Sequence, residues 1–349
     1  MQAGELVRAA QVVGPGHLLR LARARRLGLE RYVRGHYATR VICALLNVGF
    51  FDALAAGGAT DATEYAAAHD LDPEIMRTLC DYLYALKVLG KRGERYVLDG
   101  DGRLIQTTLR GLFEVTDAYE DVHHHLEGLL RGTLRYGSDV VRKDEEMVRG
   151  SGAGGRLLTF PLVTDLIRKK GFARVLDLAC GDAAFLIDLC EHNPRVRGYG
   201  VDISAEAVAY AQRRVDEAGL SDRVDLFAED MFEIQRVADR LGPIDAVSSF
   251  YGFQELLYQG REVVLRLLDR YRAALPDASF LVCEIPKFSA EELRRRPRGM
   301  LEYQLYHALT HQRLATRHEW MDLWRAAGFR KIEEHYLEFA RTVIYALAW

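Results

Sequence analysis

The sequence predicts an α/β fold in its second half, an open sheet with a nucleoside-binding crevice, preceded by a mostly helical N-terminal half. Three observations predict it. Val175-Leu-Asp-Leu-Ala-Cys-Gly-Asp-Ala-Ala-Phe185 reads as a short apolar strand ending in a carboxylate, followed by a glycine turn that opens a helix. Gly200-Val-Asp-Ile-Ser204 ends a second strand in another carboxylate, Asp202. From residue 171 onward apolar strand runs alternate with helical patterns, the signature of a mostly parallel sheet.

The elements follow in order. Arg34 to Leu54 carries apolar residues at helical spacing, with Ala44 to Ala56 its most apolar stretch. Asp52 within that stretch and its shortness mark a core helix and no membrane span. Thr60-Asp-Ala-Thr-Glu64 supplies a cap followed by an acid, a helix-start pattern. Pro73 opens a helix running to Leu89, and Lys91 to Leu98 reads as a short hairpin or wing. Gly150-Ser-Gly-Ala-Gly-Gly155 reads as a flexible loop over a ligand; it lacks the Lys-Ser/Thr of a phosphate-binding loop. Strands are expected at about 173–178, 197–202, 223–228, 244–250 and 279–285. Phe329 to Glu338 and Arg341 to Trp349 then form a hairpin.

Composition excludes several classes. With 349 residues the chain is long enough for more than one core. Its net charge of -3 gives no general attraction to nucleic acid or to an anionic membrane. The helix from Pro73 has Glu74 and Asp81 against Arg77 and Lys87, so it lacks the positive footprint of a DNA reader. The arginines between Arg20 and Arg40 could bind RNA or an anionic substrate; a solvated helix face or a contact with a second copy is the competing and favoured reading. Glu5 and Arg8 precede any apolar run, unlike a secretory leader. Five scattered cysteines without a C-x-x-C pair fit a reducing, cytoplasmic setting. His123, His124 and His125 are consecutive and point in three directions on a helix, so they cannot share one metal ion.

The ligand follows from the glycine turn. A dinucleotide site needs three glycines so that backbone and helix N-terminus close on pyrophosphate, and here only Gly181 is present. Asp177 and Asp182 would repel that anion and attract a cationic amino-acid tail. A sulfonium-bearing zwitterionic nucleoside fits better. For each aspartate alone, a turn or helix cap is the competing reading.

With these residues the chain resembles the class I S-adenosylmethionine-dependent methyltransferases. The resemblance implies a Rossmann-like seven-stranded sheet with a C-terminal antiparallel hairpin, and S-adenosylmethionine as cofactor. It places Asp177, Ala179 and Gly181 on the methionine portion and Asp202, with Ile203 beside it, on the ribose. Asp230, Met231 and Phe232 fall around the adenine, and Phe250 ends the fourth strand against the cofactor. Ala183 departs from the glycine that is frequent there. The N-terminal region resembles the winged-helix dimerisation domain of small-molecule O-methyltransferases, which implies a homodimer. The expected domains are 1–112 for dimerisation, 113–170 as bridge and lid, and 171–349 for catalysis.

In phenol-methylating relatives the segment after the fourth strand carries a basic histidine followed by an acid. Here Gln254 and Glu255 stand at those positions, and glutamine cannot remove a proton. A looser resemblance is to α-keto acid C-methyltransferases, in which two histidines hold a metal; only His307 matches, so no metal is expected. Gln254, His307 and Tyr251 are the candidate catalytic residues. Tyr251, Phe253 and Tyr136 are candidates to face the sulfonium, with ordinary core packing as the equal alternative. The implied activity is methyl transfer to a small-molecule acceptor, on oxygen or carbon. A site without a base leaves as the main alternative a cyclase that closes a small-ring amino acid from the cofactor and releases methylthioadenosine, ahead of RNA methylation and a binding-only regulator.

Overall fold

The computed structural model describes residue 8, residues 10–296 and residues 301–349. Glu5 lies outside them. The chain divides into one unit ending at Phe113 and another spanning Glu114–Trp349.

The first unit is helical with one small hairpin. Helices Pro15–Arg26, Glu30–Asn47, Phe50–Gly57, Ala62–Ala68 and Pro73–Ala85 precede β1 (Leu89–Arg92) and β2 (Arg95–Leu98), which pair antiparallel. Its core gathers Leu45, Phe50, Phe51, Leu54, Cys80 and Leu83. The long helix expected from Arg34 to Leu54 is two helices. Gly49 sits at φ 75°, a left-handed conformation that residues with a Cβ resist, and the axes bend by 68° there. No single described helix is long and apolar enough to cross a membrane. The helix from Pro73 stops at Ala85, short of Leu89, because Lys87 takes φ 63° and turns the chain into β1. Asp61 and Asp72 cap their helices by accepting from the backbone N–H groups of Thr63 and Glu64, and of Glu74 and Ile75.

The second unit holds a seven-stranded sheet. Its strands are β3 (Arg174–Leu178), β4 (Arg197–Asp202), β5 (Val224–Ala228), β6 (Ala246–Phe250), β7 (Ser279–Glu284), β8 (Lys331–Leu337) and β9 (Thr342–Ala348), in spatial order β5-β4-β3-β6-β7-β9-β8. β3 to β7 run parallel, while β9 is antiparallel to both β7 and β8. Strand order reverses beside β3, which has β4 on one side and β6 on the other, so the ligand crevice opens at the ends of β3, β4 and β6.

Residues alternate between two cores, as strand period requires. Leu176, Leu178, Val247, Phe280, Val282, Val343 and Tyr345 face helices Phe253–Gln259, Arg261–Ala274 and Arg317–Ala326. Val175, Ala246, Leu281, Cys283 and Ile344 face helices Thr159–Lys170, Ala184–His192 and Ala205–Glu217.

Gly150 to Gly155, expected as a loop, lies inside the helix Asp144–Leu157. Packing explains the glycines. A Cβ on Gly152 would stand 3.2 Å from Ala184 and 3.6 Å from Asp182, and one on Gly155 would collide with the Phe160 ring. Small residues let this helix press onto the turn that follows β3, and tertiary contact outweighs the low helix propensity of glycine.

Candidate functional site

The turn after β3 is built from alternating left-handed residues: Ala179 at φ 53°, Gly181 at 54° and Ala183 at 56°. A non-glycine residue resists that region, so surrounding contacts must hold Ala179 and Ala183 there. They are present. The N–H of Cys180 donates to Val201 O at 3.1 Å, that of Ala183 to Cys180 O at 2.9 Å, and that of Gly181 to Asp202 Oδ2 at 3.0 Å. The methyl of Ala183 is fully buried, so the departure from glycine is absorbed into the core.

The helix N-terminus where pyrophosphate would dock is already filled. Asp182 Oδ1 accepts from Ala184 N at 3.1 Å, and the other oxygen pairs with the Arg214 guanidinium. Asp182 is buried, and burial pushes its carboxyl up against the pull of Arg214. The sequence reading set Asp182 against an anionic ligand; the geometry makes it an internal cap. Its carboxylate sits where a second anion would have to dock and repels one.

Asp177 and Asp202 come together at the mouth of the turn. Asp177 is 3% exposed, and Ser248 Oγ donates to its Oδ1 at 2.7 Å. Burial pushes its carboxyl up to about 7; Ser248 opposes the shift and the Asp202 charge adds to it. Such a group awaits a cation. Asp202 also accepts from Ser204 N at 2.9 Å through Oδ1, so each of its oxygens supports the loop while keeping a lone pair. Beside it Ile203 is 75% exposed, an apolar surface next to the crevice.

The β5 end supplies the next wall. The Asp202 backbone carbonyl accepts from Glu229 N at 3.0 Å, and Asp230 Oδ1 accepts from Phe232 N at 2.9 Å, which caps the short helix Met231–Glu233. Met231 and Phe232 are partly buried against the core. Phe250 is packed between Phe160 and Phe185, with ring centroids 4.9 and 4.6 Å away. Its ring therefore belongs to the core under the crevice.

The structure joins positions 254 and 307. Gln254 Nε2 lies 2.8 Å from His307 Nε2, Tyr303 Oη donates to Gln254 Oε1 at 3.1 Å, and His307 Nδ1 lies 2.6 Å from Tyr303 O. A carbonyl only accepts, so Nδ1 carries the proton and Nε2 accepts from the Gln254 amide. The ring of bonds closes on itself. His307 is 1% exposed, and burial pushes its imidazole down to about 3; the nearby Arg142 charge also lowers it, while the bond to Tyr303 opposes the shift. His307 is thus neutral at physiological pH with its lone pair occupied. Its ring is held between the Tyr303 carbonyl and the Gln254 amide, which fixes both side chains. Glu255, its expected acidic neighbour, is held by Arg142 at 3.1 Å and Gln312 at 2.9 Å.

Tyr251 takes φ 60° and turns toward Thr159 and Cys283, 6.4 Å from the Tyr303 ring between centroids. Phe253, expected to face the sulfonium, is instead buried against Trp324 at 5.5 Å. Tyr136 packs edge-on to His311 at 5.1 Å. Among the described residues no group of three or more His, Cys, Asp or Glu side chains is gathered for a metal ion.

One residue of this site escaped the sequence reading. Glu284, at the end of β7, is fully buried; its Oε1 accepts from Phe253 N at 3.2 Å and its Oε2 has no partner. Burial raises its carboxyl well above the usual range, and the backbone bond from Phe253 opposes that. Its charge reaches Tyr251 and Tyr303, which places it within the same cluster.

Residues 175–277 match the family model described as a methyltransferase domain. The 2-ketoarginine methyltransferase of Streptomyces arginensis is 28% identical over 315 residues, covering 86% of this chain and 87% of its own. The 3-hydroxy-5-methyl-1-naphthoate 3-O-methyltransferase of Streptomyces sahachiroi is 30% identical over 217 residues, 57% of this chain and 61% of its own. Human N-acetylserotonin methyltransferase, solved with S-adenosylmethionine, has the same fold at a TM-score of 0.64 and 21% identity, covering 93% of this chain and 97% of its own. A seven-stranded sheet with its antiparallel C-terminal hairpin, a glycine turn closed to pyrophosphate and paired acids at two strand ends agree with these likenesses. The chain is an S-adenosylmethionine-dependent methyltransferase of the small-molecule, natural-product class.

Proposed function

We propose that the enzyme methylates a small carboxylate-bearing acceptor and that Glu284 takes the proton the acceptor loses. Asp177, Ala179 and Gly181 hold the methionine end of S-adenosylmethionine, Asp202 and Ile203 the ribose side, and Asp230, Met231 and Phe232 the adenine. Phe250 supports the crevice from below. The acceptor class is supported by two relatives whose names give their acceptors, 2-ketoarginine and a hydroxynaphthoate, both carboxylates.

The observation that carries the catalytic proposal is the unpartnered oxygen of Glu284. A fully buried carboxyl with one oxygen unsatisfied is costly unless a ligand group completes it. When bound, S-adenosylmethionine supplies an activated methyl group and a positive charge that favours the ionised form of Glu284. Gln254, fixed by Tyr303 and His307, orients the acceptor, and Tyr251 borders it. The acceptor's O–H or C–H proton passes to Glu284 as its attacking atom bonds to the methyl carbon; the carbon–sulfur bond breaks and sulfur keeps the electron pair. Orientation at close range supplies much of the rate. A base would serve internal cyclisation as well, so what favours transfer over cyclisation is that the relatives are named as methyltransferases.

Glu284→Gln keeps the shape and removes the base. The turnover number is expected to fall by roughly 10²- to 10⁴-fold while cofactor affinity holds. A Glu284→Gln enzyme within about fivefold of the native rate overturns the assignment.

The N-terminal helices support a further part of the reading, a winged-helix domain that forms a homodimer. Helix Pro15–Arg26 buries none of its residues, and Leu19, Leu21, Tyr32, Val33 and Tyr37 are exposed, an apolar surface suited to a second copy. All five cysteines are free and buried, which suits a reducing cytoplasm.

A further inference from the structure

The β8–β9 hairpin borders a cavity of about 900 Å³ lined by Arg295, Arg296, Tyr336, Leu337, Phe339 and Arg341, with Glu338 among them. Among the described residues, three guanidinium groups there face two carboxylates. Arg296 pairs with Glu338, and Glu292, which accepts from the Ser289 N–H at 2.7 Å, feels the charges of Arg341 and Arg295 without a hydrogen bond to either. Arg341 is 9% exposed. Its Nη2 donates to Arg296 O at 2.6 Å, its Cζ stands 4.9 Å from the Phe288 ring centroid, and its buried Nη1 has no partner.

A guanidinium cannot neutralise itself by losing a proton, so an unsatisfied buried donor on it calls for an anion. The location matters as much as the charge. β9 begins at Thr342 and Val343 pairs with Glu284, so Arg341 stands at the same end of the sheet, just beyond the level of Glu284. Phe288, beneath Arg341, donates its N–H to Gln304 Oε1 at 2.6 Å, and Gln304 shares the helix Leu301–Leu309 with Tyr303 and His307. One strand pair and one helix thus link the cavity to the reaction site.

We infer that Arg341 binds the acceptor's carboxylate, with the acceptor's apolar body lying along Tyr336, Leu337 and Phe339. The inference rests on the carboxylate reading proposed above. Guanidinium meets carboxylate through two parallel bonds, which fixes orientation as well as affinity. The exposed Phe339 ring, 82% accessible, supplies apolar surface at the mouth.

The test is calorimetric titration of the full-length protein loaded with S-adenosylhomocysteine. The probes are 3-hydroxy-5-methyl-1-naphthoate and 2-ketoarginine, each beside its methyl ester. The native protein is expected to bind at least one acid more tightly than its ester. Arg341→Gln should cut the acid's affinity by roughly 10- to 100-fold and leave the ester unchanged. Should Arg341→Gln fail to fold, Arg341→Lys carries the test, with a smaller loss confined to the acid. If the native protein binds neither acid, or binds acid and ester equally, the carboxylate reading falls and the subsite with it. If the preference survives in Arg341→Gln, or in Arg341→Lys where that variant carries the test, the carboxylate reading stands and the assignment to Arg341 is overturned.

Discussion

Asp177→Asn is expected to make the ligand-free protein more stable at pH 8 while crippling cofactor binding. The Asp177 carboxyl rises from 3.8 in the unfolded chain to about 7 in the fold, with burial as the main cause. Between those values the folded state holds a proton that the unfolded state has released, so stability falls as pH climbs from about 4 to 7 and is level above. The gap of roughly 3 pH units, at 1.36 kcal/mol each, amounts to a penalty on the order of 4 kcal/mol at pH 8. Asparagine carries no charge, and its amide oxygen can still accept from Ser248. Urea denaturation of both proteins at pH 5 and pH 8 reads the difference. The variant should gain about 2–4 kcal/mol at pH 8 relative to native, and much less at pH 5. A variant no more stable than native at pH 8 would refute the claim that Asp177 is a desolvated carboxylate waiting for a cation.

Two further outcomes follow from the same geometry. Arg214→Ala leaves the buried Asp182 unpaired beside the turn and should cost about 3–5 kcal/mol in denaturant titration; a cost under about 1 kcal/mol would mean the pair is open to water. In a pH–rate profile the acidic limb should persist in His307→Gln and disappear in the residual activity of Glu284→Gln, since His307 is already neutral above about pH 5. A limb that vanishes with His307 instead would return the role of base to the histidine.

The sheet was legible because its central strands β3, β6 and β7 are buried on both faces. Val175 to Leu178 is apolar apart from Asp177, Phe280 to Cys283 is an apolar run ended by Glu284, and Ala246 to Phe250 carries Ser248 and Ser249 between apolar residues. The hairpin of β8 and β9 was equally plain. What failed depended on contacts between distant segments. Gly150 to Gly155 has the composition of a loop, yet it is helical because Ala184, Asp182 and Phe160 approach too closely for side chains. Phe253 looked like a cage residue, but it packs on Trp324, 71 positions away in sequence. Gln254 and His307 were each recognised, while their mutual bond required the fold. Glu284 could have been found. The rule that singled out Asp177 and Asp202, an acid at the carboxyl end of an apolar strand, applies equally to Phe280-Leu-Val-Cys-Glu284.

The most direct test incubates the purified enzyme with S-adenosylmethionine, with and without carboxylate acceptors, and identifies the nucleoside product by mass spectrometry. S-adenosylhomocysteine that forms only with an acceptor, together with a methylated acid, is the predicted result. Methylthioadenosine released without any acceptor, above spontaneous breakdown, would contradict methyl transfer and make the enzyme a cyclase.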